Sequence, residues 1–219
     1  MRIKIQRHID IPIDDTAWEK PPWKKIPAHG IQNHMGKTPD HFPRAEVKIA
    51  YDETYISLMF RVADRYVRAV AAAHQDNVCQ DSCVEFFFTP NSDLSKGYFN
   101  LEMNCGGTIL FHFQPGPGKD RIIIPVSDCS LIKVAHSLPK IIDPEIKEPV
   151  TWTVAYSIPL ALVKKYCAMT PPGPQVEWRG NFYKCGDKTS HPHWLTWAQV
   201  DFPKPNFHLP RSFGILEFQ

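Results

Sequence analysis

Net charge is nearly absent from this chain. Its 219 residues hold 25 lysines and arginines against 23 aspartates and glutamates, a formal charge of +2. No run of basic residues breaks that balance, so the electrostatic footprint of a nucleic-acid binder is lacking. Long apolar runs are also missing, and none approaches the roughly 20 residues a membrane-spanning helix needs. The first residues, Met1-Arg2-Ile3-Lys4-Ile5-Gln6-Arg7-His8, alternate charged and apolar types and have no apolar signal-peptide centre. That leaves a cytoplasmic protein, or a secreted one whose leader has been removed. Six cysteines are scattered without a CxxC pair. A chain of this length needs no disulfide scaffold, so free and mostly buried thiols are expected. Cys79 and Cys83 are spaced for neither a usual zinc site nor a redox motif. His191 and His193 lack a third ligand nearby in sequence, which makes an exposed loop the plainer reading. No nucleophile–base spacing and no phosphate loop announces an enzyme.

Proline is abundant instead, at 21 residues, with 12% aromatics and 43% hydrophobic residues overall. Many prolines with many aromatics suit short strands joined by stiff loops. Period-two alternation recurs along the chain. Val47, Ile49 and Tyr51 alternate with Glu46, Lys48 and Ala50 before an Asp52-Glu53 turn, which reads as the first arm of a hairpin. In Cys83 to Phe88, one face carries Val84, Phe86 and Phe88 and the other Cys83, Glu85 and Phe87. In Tyr98 to Asn104, Phe99, Leu101 and Met103 face one way, and Tyr98, Asn100, Glu102 and Asn104 the other. Thr108 to Phe113, Trp152 to Ile158, Val176 to Lys184, Leu195 to Val200 and Phe213 to Phe218 continue the pattern. Leu160 to Tyr166 is the one helical candidate. Pro139 to Pro149 reads as a long loop, and residues 1–43 as an irregular N-terminal part.

The sum is an all-β fold: an antiparallel β-sandwich, jelly-roll or immunoglobulin-like, of about nine to eleven strands with at most one short helix. Without a linker or repeat, residues 1–219 are expected to form a single domain, with 1–43 packed on the rest.

Four motifs carry a family resemblance. Glu46 to Ile56 with Val62-Ala63-Asp64 resembles the opening hairpin of family 9 carbohydrate-binding modules. Asp81-Ser82-Cys83-Val84-Glu85-Phe86-Phe87 resembles that family's DSVE strand. Trp152 to Pro159, and Thr196-Trp197 with Phe213-Gly214-Ile215-Leu216, resemble its later strands. The resemblance runs in order from Ala45 onward and implies a β-sandwich that binds sugars without catalysis, in the service of polysaccharide breakdown. The expected partners are a carbohydrate and a glycoside hydrolase, with neither nucleic acid nor membrane.

A pyranose offers an apolar C–H face and a rim of hydroxyls, which call for an aromatic plate and fixed polar partners. The resemblance assigns the plate to Trp197 and the rim to Glu85, Asn100, Asn181 and His191, while strand parity sets Trp194, three residues away, on the opposite face. Asn104 joins them from the polar face it shares with Asn100. The family's second tryptophan falls at about Cys79. On this reading Trp197→Ala abolishes binding and spares the fold. No cofactor is required, but family members often carry structural calcium, for which Asp64, Asp76 and Asp81 are the candidate ligands.

Three other readings remain open. Glu85 with Glu102 or Asp81 could form the carboxyl pair of a glycoside-active enzyme. Met103 or Met59 with a histidine could ligate haem in an electron-transfer sandwich. A sandwich that only contacts other proteins is the fourth.

Overall fold

The computed structural model describes residues 1–14, 16–116 and 118–219. Among them, in chain order, are β1 (Arg2–Arg7), β2 (His29–Ile31), β3 (Asn33–His34), β4 (Arg44–Tyr51), β5 (Tyr55–Asp64) and β6 (Val67–Ala69). Next come β7 (Cys83–Thr89), β8 (Tyr98–Asn104), β9 (Ile109–Gln114), β10 (Ile122–Ile123), β11 (Lys133–His136) and β12 (Ile142–Ile146). The last are β13 (Val150–Pro159), β14 (Glu177–Cys185), β15 (Trp194–Thr196) and β16 (Gly214–Phe218). Two helices interrupt them, α1 (Val126–Cys129) and α2 (Leu160–Tyr166). The fold is the expected all-β sandwich. Five of the sixteen strands have only two or three residues, and there are two short helices where at most one was expected.

One hydrogen-bonded path, β10-β9-β8-β7-β14-β16-β1-β4-β5-β13-β11, runs through both layers. β1 is where it changes layer. Arg2 to Ile5 pair in parallel with Ile215 to Phe218, and then Gln6 and Arg7 pair in parallel with Ala50 and Tyr51. The N-terminal alternation is therefore a strand that belongs to both sheets, not part of an irregular segment. Pro139 to Pro149 is likewise more than a loop, since β12 within it pairs with β6.

The inward faces are those the alternation gives. Val84, Phe86 and Phe88 meet Phe60, Val62, Trp152 and Tyr156 in one core between the sheets. Phe86 stacks on Phe182, which meets Phe60 edge-on at 6.3 Å. Gly180 is the small residue that this packing requires. A Cβ there would lie 2.9 Å from both the Leu216 side chain and the Phe87 carbonyl.

Each sheet is also covered from outside. On the β4–β5–β13 sheet, Ile13, Trp18, Trp23 and Ile26 pack over Ala50, Met59 and Ala155. The Lys48 ammonium donates to the carbonyls of Trp18 and Trp23 and lies 4.3 Å from the Trp18 ring, so the loop is held by charge as well as by burial. On the other sheet, Val200, Phe207 and Phe213 lie over Cys83, Phe87, Tyr98 and Tyr183. This second cover, the segment after β15, forms one wall of the cleft that follows.

Candidate functional site

β7, β8 and β14 are adjacent strands, and their outward residues make the floor of a cleft. Glu85 lies between Glu102 on one side and Tyr183 on the other, all three in direct register. Cys185 and Phe87 complete the floor. Cys79, Asp187 and Trp194 form one wall, and Pro205, Asn206, Phe207 and His208 the other. The enclosed space is about 220 Å³.

The floor is acidic and largely shielded from water. Glu85 is 2% exposed and Glu102 6%. Glu85 Oε1 accepts from the Cys185 thiol at 3.1 Å, while its buried Oε2 has no partner among the described residues. Glu102 Oε1 accepts from Asn100 Nδ2 at 3.0 Å, and Asn100 Oδ1 accepts in turn from Gln114 Nε2 at 3.1 Å. Burial, reinforced by the neighbouring Glu102, raises the Glu85 carboxyl well above its ordinary range. Burial also pushes Glu102 up to about 7. Two facing carboxyls of this kind favour a retained proton, so the floor both donates and accepts hydrogen bonds.

The walls supply aromatic surface. Trp194 is half-buried, and its indole N–H donates to Asp187 Oδ1 at 2.8 Å, which fixes the ring at the rim. Phe207 stacks on Tyr183 with ring centroids 4.1 Å apart. The His208 ring, whose pKa burial lowers, bonds through Nδ1 to the Tyr98 hydroxyl at 2.8 Å.

The two tryptophans exchange the roles expected of them. β15 pairs with β14 so that Trp194 is opposite Cys185, and Cys185 belongs to the cleft face. Trp197, three residues on, turns into the core at 1% exposure. There it meets Phe182 edge-on and leaves no room for a Cβ on Gly214, which would approach its ring to 2.4 Å. Trp197 is thus a packing residue, and Trp194 is the rim aromatic.

Of the other expected binding residues, Glu85 reaches the cleft, and Asn100 stands behind Glu102. Asn181 is elsewhere. Its amide clamps Ala198, accepting from the Ala198 N–H at 2.8 Å and donating to its carbonyl at 3.0 Å. Asn104 is also structural, bonded to Asp81, the Ala71 carbonyl and the Thr108 N–H. His191 stacks on Tyr66 at 3.7 Å, outside the cleft lining.

The three aspartates expected to hold calcium do not converge, and each is engaged by other donors. Asp76 accepts from the Ala72 and Ala73 N–H groups, and Asp81 from Val70, Ala71 and Asn104. Asp64 accepts from Trp152 Nε1 at 3.1 Å, bonds His41 at 2.7 Å and faces the Lys184 ammonium at 3.4 Å. Burial alone would raise the Asp64 carboxyl, but that cation and those hydrogen bonds hold it well below its ordinary range. Met103 lies in the inter-sheet core and Met59 beneath the N-terminal cover, in separate apolar clusters. Glu102, not Asp81, is the carboxyl placed beside Glu85.

Glu102, Asp187 and Trp194 are among the cleft residues that the binding-site reading leaves out. Face parity could have found the first, which shares its face with Asn100. The third follows from parity once β15 is paired with β14.

A β-sandwich with a concave, carboxyl-floored and aromatic-walled cleft on one sheet is an architecture suited to a sugar ligand. Residues 22–218 match carbohydrate-binding family 9, and the chain belongs to that family. It is similar over 100% of its length, at 27% identity and a TM-score of 0.88, to a candidate carbohydrate-binding protein from Bacteroides uniformis ATCC 8492, 99% of which is covered. Two family 9 structures from Caldicellulosiruptor kristjanssonii share the fold over the whole chain. One, in complex with cellotriose, has 11% identity and a TM-score of 0.66, with 94% of it covered. The other, in complex with glucose, has 13% identity and a TM-score of 0.63, with 96% covered. No curated protein sequence matches the chain.

Proposed function

We propose that the cleft between Trp194 and Phe207 is the sugar site, and that it takes one glucose-class residue, as a free sugar or as the end of a β-glucan chain. One observation carries this reading: the buried, unpartnered Oε2 of Glu85 at the cleft floor. An unsatisfied buried oxygen is costly to maintain, and a sugar hydroxyl would satisfy it. Glu102 offers a second polar partner on the same floor, and Trp194 an aromatic surface for the C–H face. The family 9 structures bound to glucose and cellotriose support the ligand class.

The domain acts without catalysis, delivering a glycoside hydrolase partner to its polysaccharide. Glycosidases need two carboxyls flanking the scissile bond, about 5 Å or more apart. Here Glu85 and Glu102 lie side by side on one floor, in adjacent strands, and the third carboxyl of the lining, Asp187, is engaged by the Trp194 indole N–H.

Calorimetric titration with glucose, cellobiose, cellotriose, xylose oligomers and the reduced-end alditols, with and without calcium, tests the proposal. Binding of glucose-class ligands that is lost in Glu85→Gln and Trp194→Ala supports it. Affinity unchanged in both variants would overturn the site. Turnover of any of these glycans would overturn the non-catalytic reading.

A further inference from the structure

Cys83 and Cys185 are directly opposed on β7 and β14. Both flank Glu85 on the cleft face. The two sulfurs and a Glu85 carboxylate oxygen all lie within 4.8 Å of one another, the only such trio of His, Cys, Asp or Glu donors among the described residues. Cys185 Sγ is already 3.1 Å from Glu85 Oε1, and both side chains line the cleft. Cys83 and Cys185 are free thiols, buried in the centre of a sheet, so their backbones hold them in place.

We propose that Cys83, Cys185 and Glu85 form a binding site for a zinc-class divalent cation. Tetrahedral zinc, at about 2.3 Å from sulfur and about 2.1 Å from oxygen, sets its donors roughly 3.5–3.8 Å apart. With Cys185 Sγ 3.1 Å from Glu85 Oε1 and every pair within 4.8 Å, the distances of the trio bracket that spacing. Two sulfurs and one carboxylate select zinc or cadmium over calcium or magnesium, which take oxygen ligands. Three protein ligands leave the fourth position open, and Cys185 and Glu85 both border the cleft, from which water or a ligand would fill it. Glu85 Oε2, without a protein partner, gives the carboxylate freedom to turn toward an ion. Two thiolates and a carboxylate would leave one surplus negative charge around a dication. Burial, the largest influence, raises the Cys83 thiol to about 12, so binding must displace the thiol protons and strengthens as pH rises. The sequence spacing of Cys79 and Cys83 conceals this arrangement, because the partner of Cys83 comes from a strand about a hundred residues later.

The test is a cobalt titration of the reduced, metal-free full chain. One equivalent of Co²⁺ should bind with intense sulfur-to-cobalt charge-transfer absorption in the near ultraviolet, and Zn²⁺ should displace it. Glu85→Gln, nearly isosteric, should weaken binding at least about tenfold and keep the charge-transfer band. The Cys83→Ser/Cys185→Ser double variant should lose the band, and Cys79→Ser should retain it. Circular dichroism of each variant separates loss of the site from loss of the fold. Absence of the band at millimolar Co²⁺, or its survival in the folded double variant, overturns the site. The site does not depend on the sugar reading. Sugar titrations of the metal-free protein are a separate measurement, so either proposal can fail while the other stands.

Discussion

Glu85 and Glu102 face each other directly across β7 and β8, both buried and both on the cleft side of the sheet. Like charges in that position repel, so the pair holds a proton more tightly than either residue would in water.

That arrangement sets a pH dependence for stability. Glu102 titrates at about 7 in the folded chain, against 4.5 ordinarily. The stabilisation from its proton is complete below 4.5 and is lost as pH rises through 7. His193, neutral and pushed down to about 3 by burial and then Lys184, works in the opposite sense, with stability lost as pH falls below 6.5. Comparing Glu102→Gln with the parent isolates the first effect. The variant's relative stability should grow between pH 4.5 and pH 7, by up to about 3 kcal/mol. Urea unfolding at several pH values measures it, and a constant difference would refute it.

The two tryptophans should separate by phenotype. Trp197→Ala empties a packed core position and should cost about 3–5 kcal/mol of stability. Trp194→Ala removes a half-exposed ring and should change the unfolding free energy by no more than about 0.5 kcal/mol. In calorimetry the Trp194 variant should lose sugar affinity roughly tenfold or more, as is usual for an aromatic anchor.

Lys184 is fully buried between the sheets. Its ammonium donates to His193 Nε2 at 2.7 Å and to the Cys185 carbonyl at 2.9 Å, beside Asp64. Lys184→Met strands the Asp64 carboxylate and should cost about 3–5 kcal/mol. Adding Asp64→Asn should recover part of that loss, giving a coupling energy above about 0.5 kcal/mol in a double-mutant cycle. Strict additivity of the two substitutions would contradict the pairing.

Gly214→Ala should destabilise by about 1–3 kcal/mol, because its Cβ would enter the Trp197 ring and approach the Met1 carbonyl to 2.9 Å. Combining it with Trp197→Phe should relieve part of the cost, as chemical denaturation would show.

Much of this was legible in the sequence because period-two alternation states which face is buried. The inward residues of β7 and β8 are those that alternation selects, and Glu85 reads as a polar group on a covered face. The site was less legible for a physical reason. Parity places a residue on a face only once the pairing of its strand is known. Trp194 and Trp197 are three apart, so they must point oppositely, but only the pairing of Cys185 with Trp194 decides which one meets the cleft. Asn181 and Asn104 look like ligand-binding amides, yet buried backbone groups nearby need partners just as much as a sugar would. The Val200–Phe213 wall carries no periodic signal at all, because it is irregular chain held by Phe207 and Phe213. β1 was hidden because its partners, β16 and β4, come from opposite ends of the chain.

The sharing of β1 between layers has a mechanical meaning. Two sheets joined only by side-chain packing can slip past one another like plates. Here the rungs from Arg2 to Ile5 belong to one layer and those at Gln6 and Arg7 to the other, so a slip in either direction must break hydrogen bonds. The strand acts as a stitch through both layers. Peeling it away would give each of them a raw edge at the same moment, which ties the cleft-bearing sheet and the sheet beneath it into one unit of unfolding.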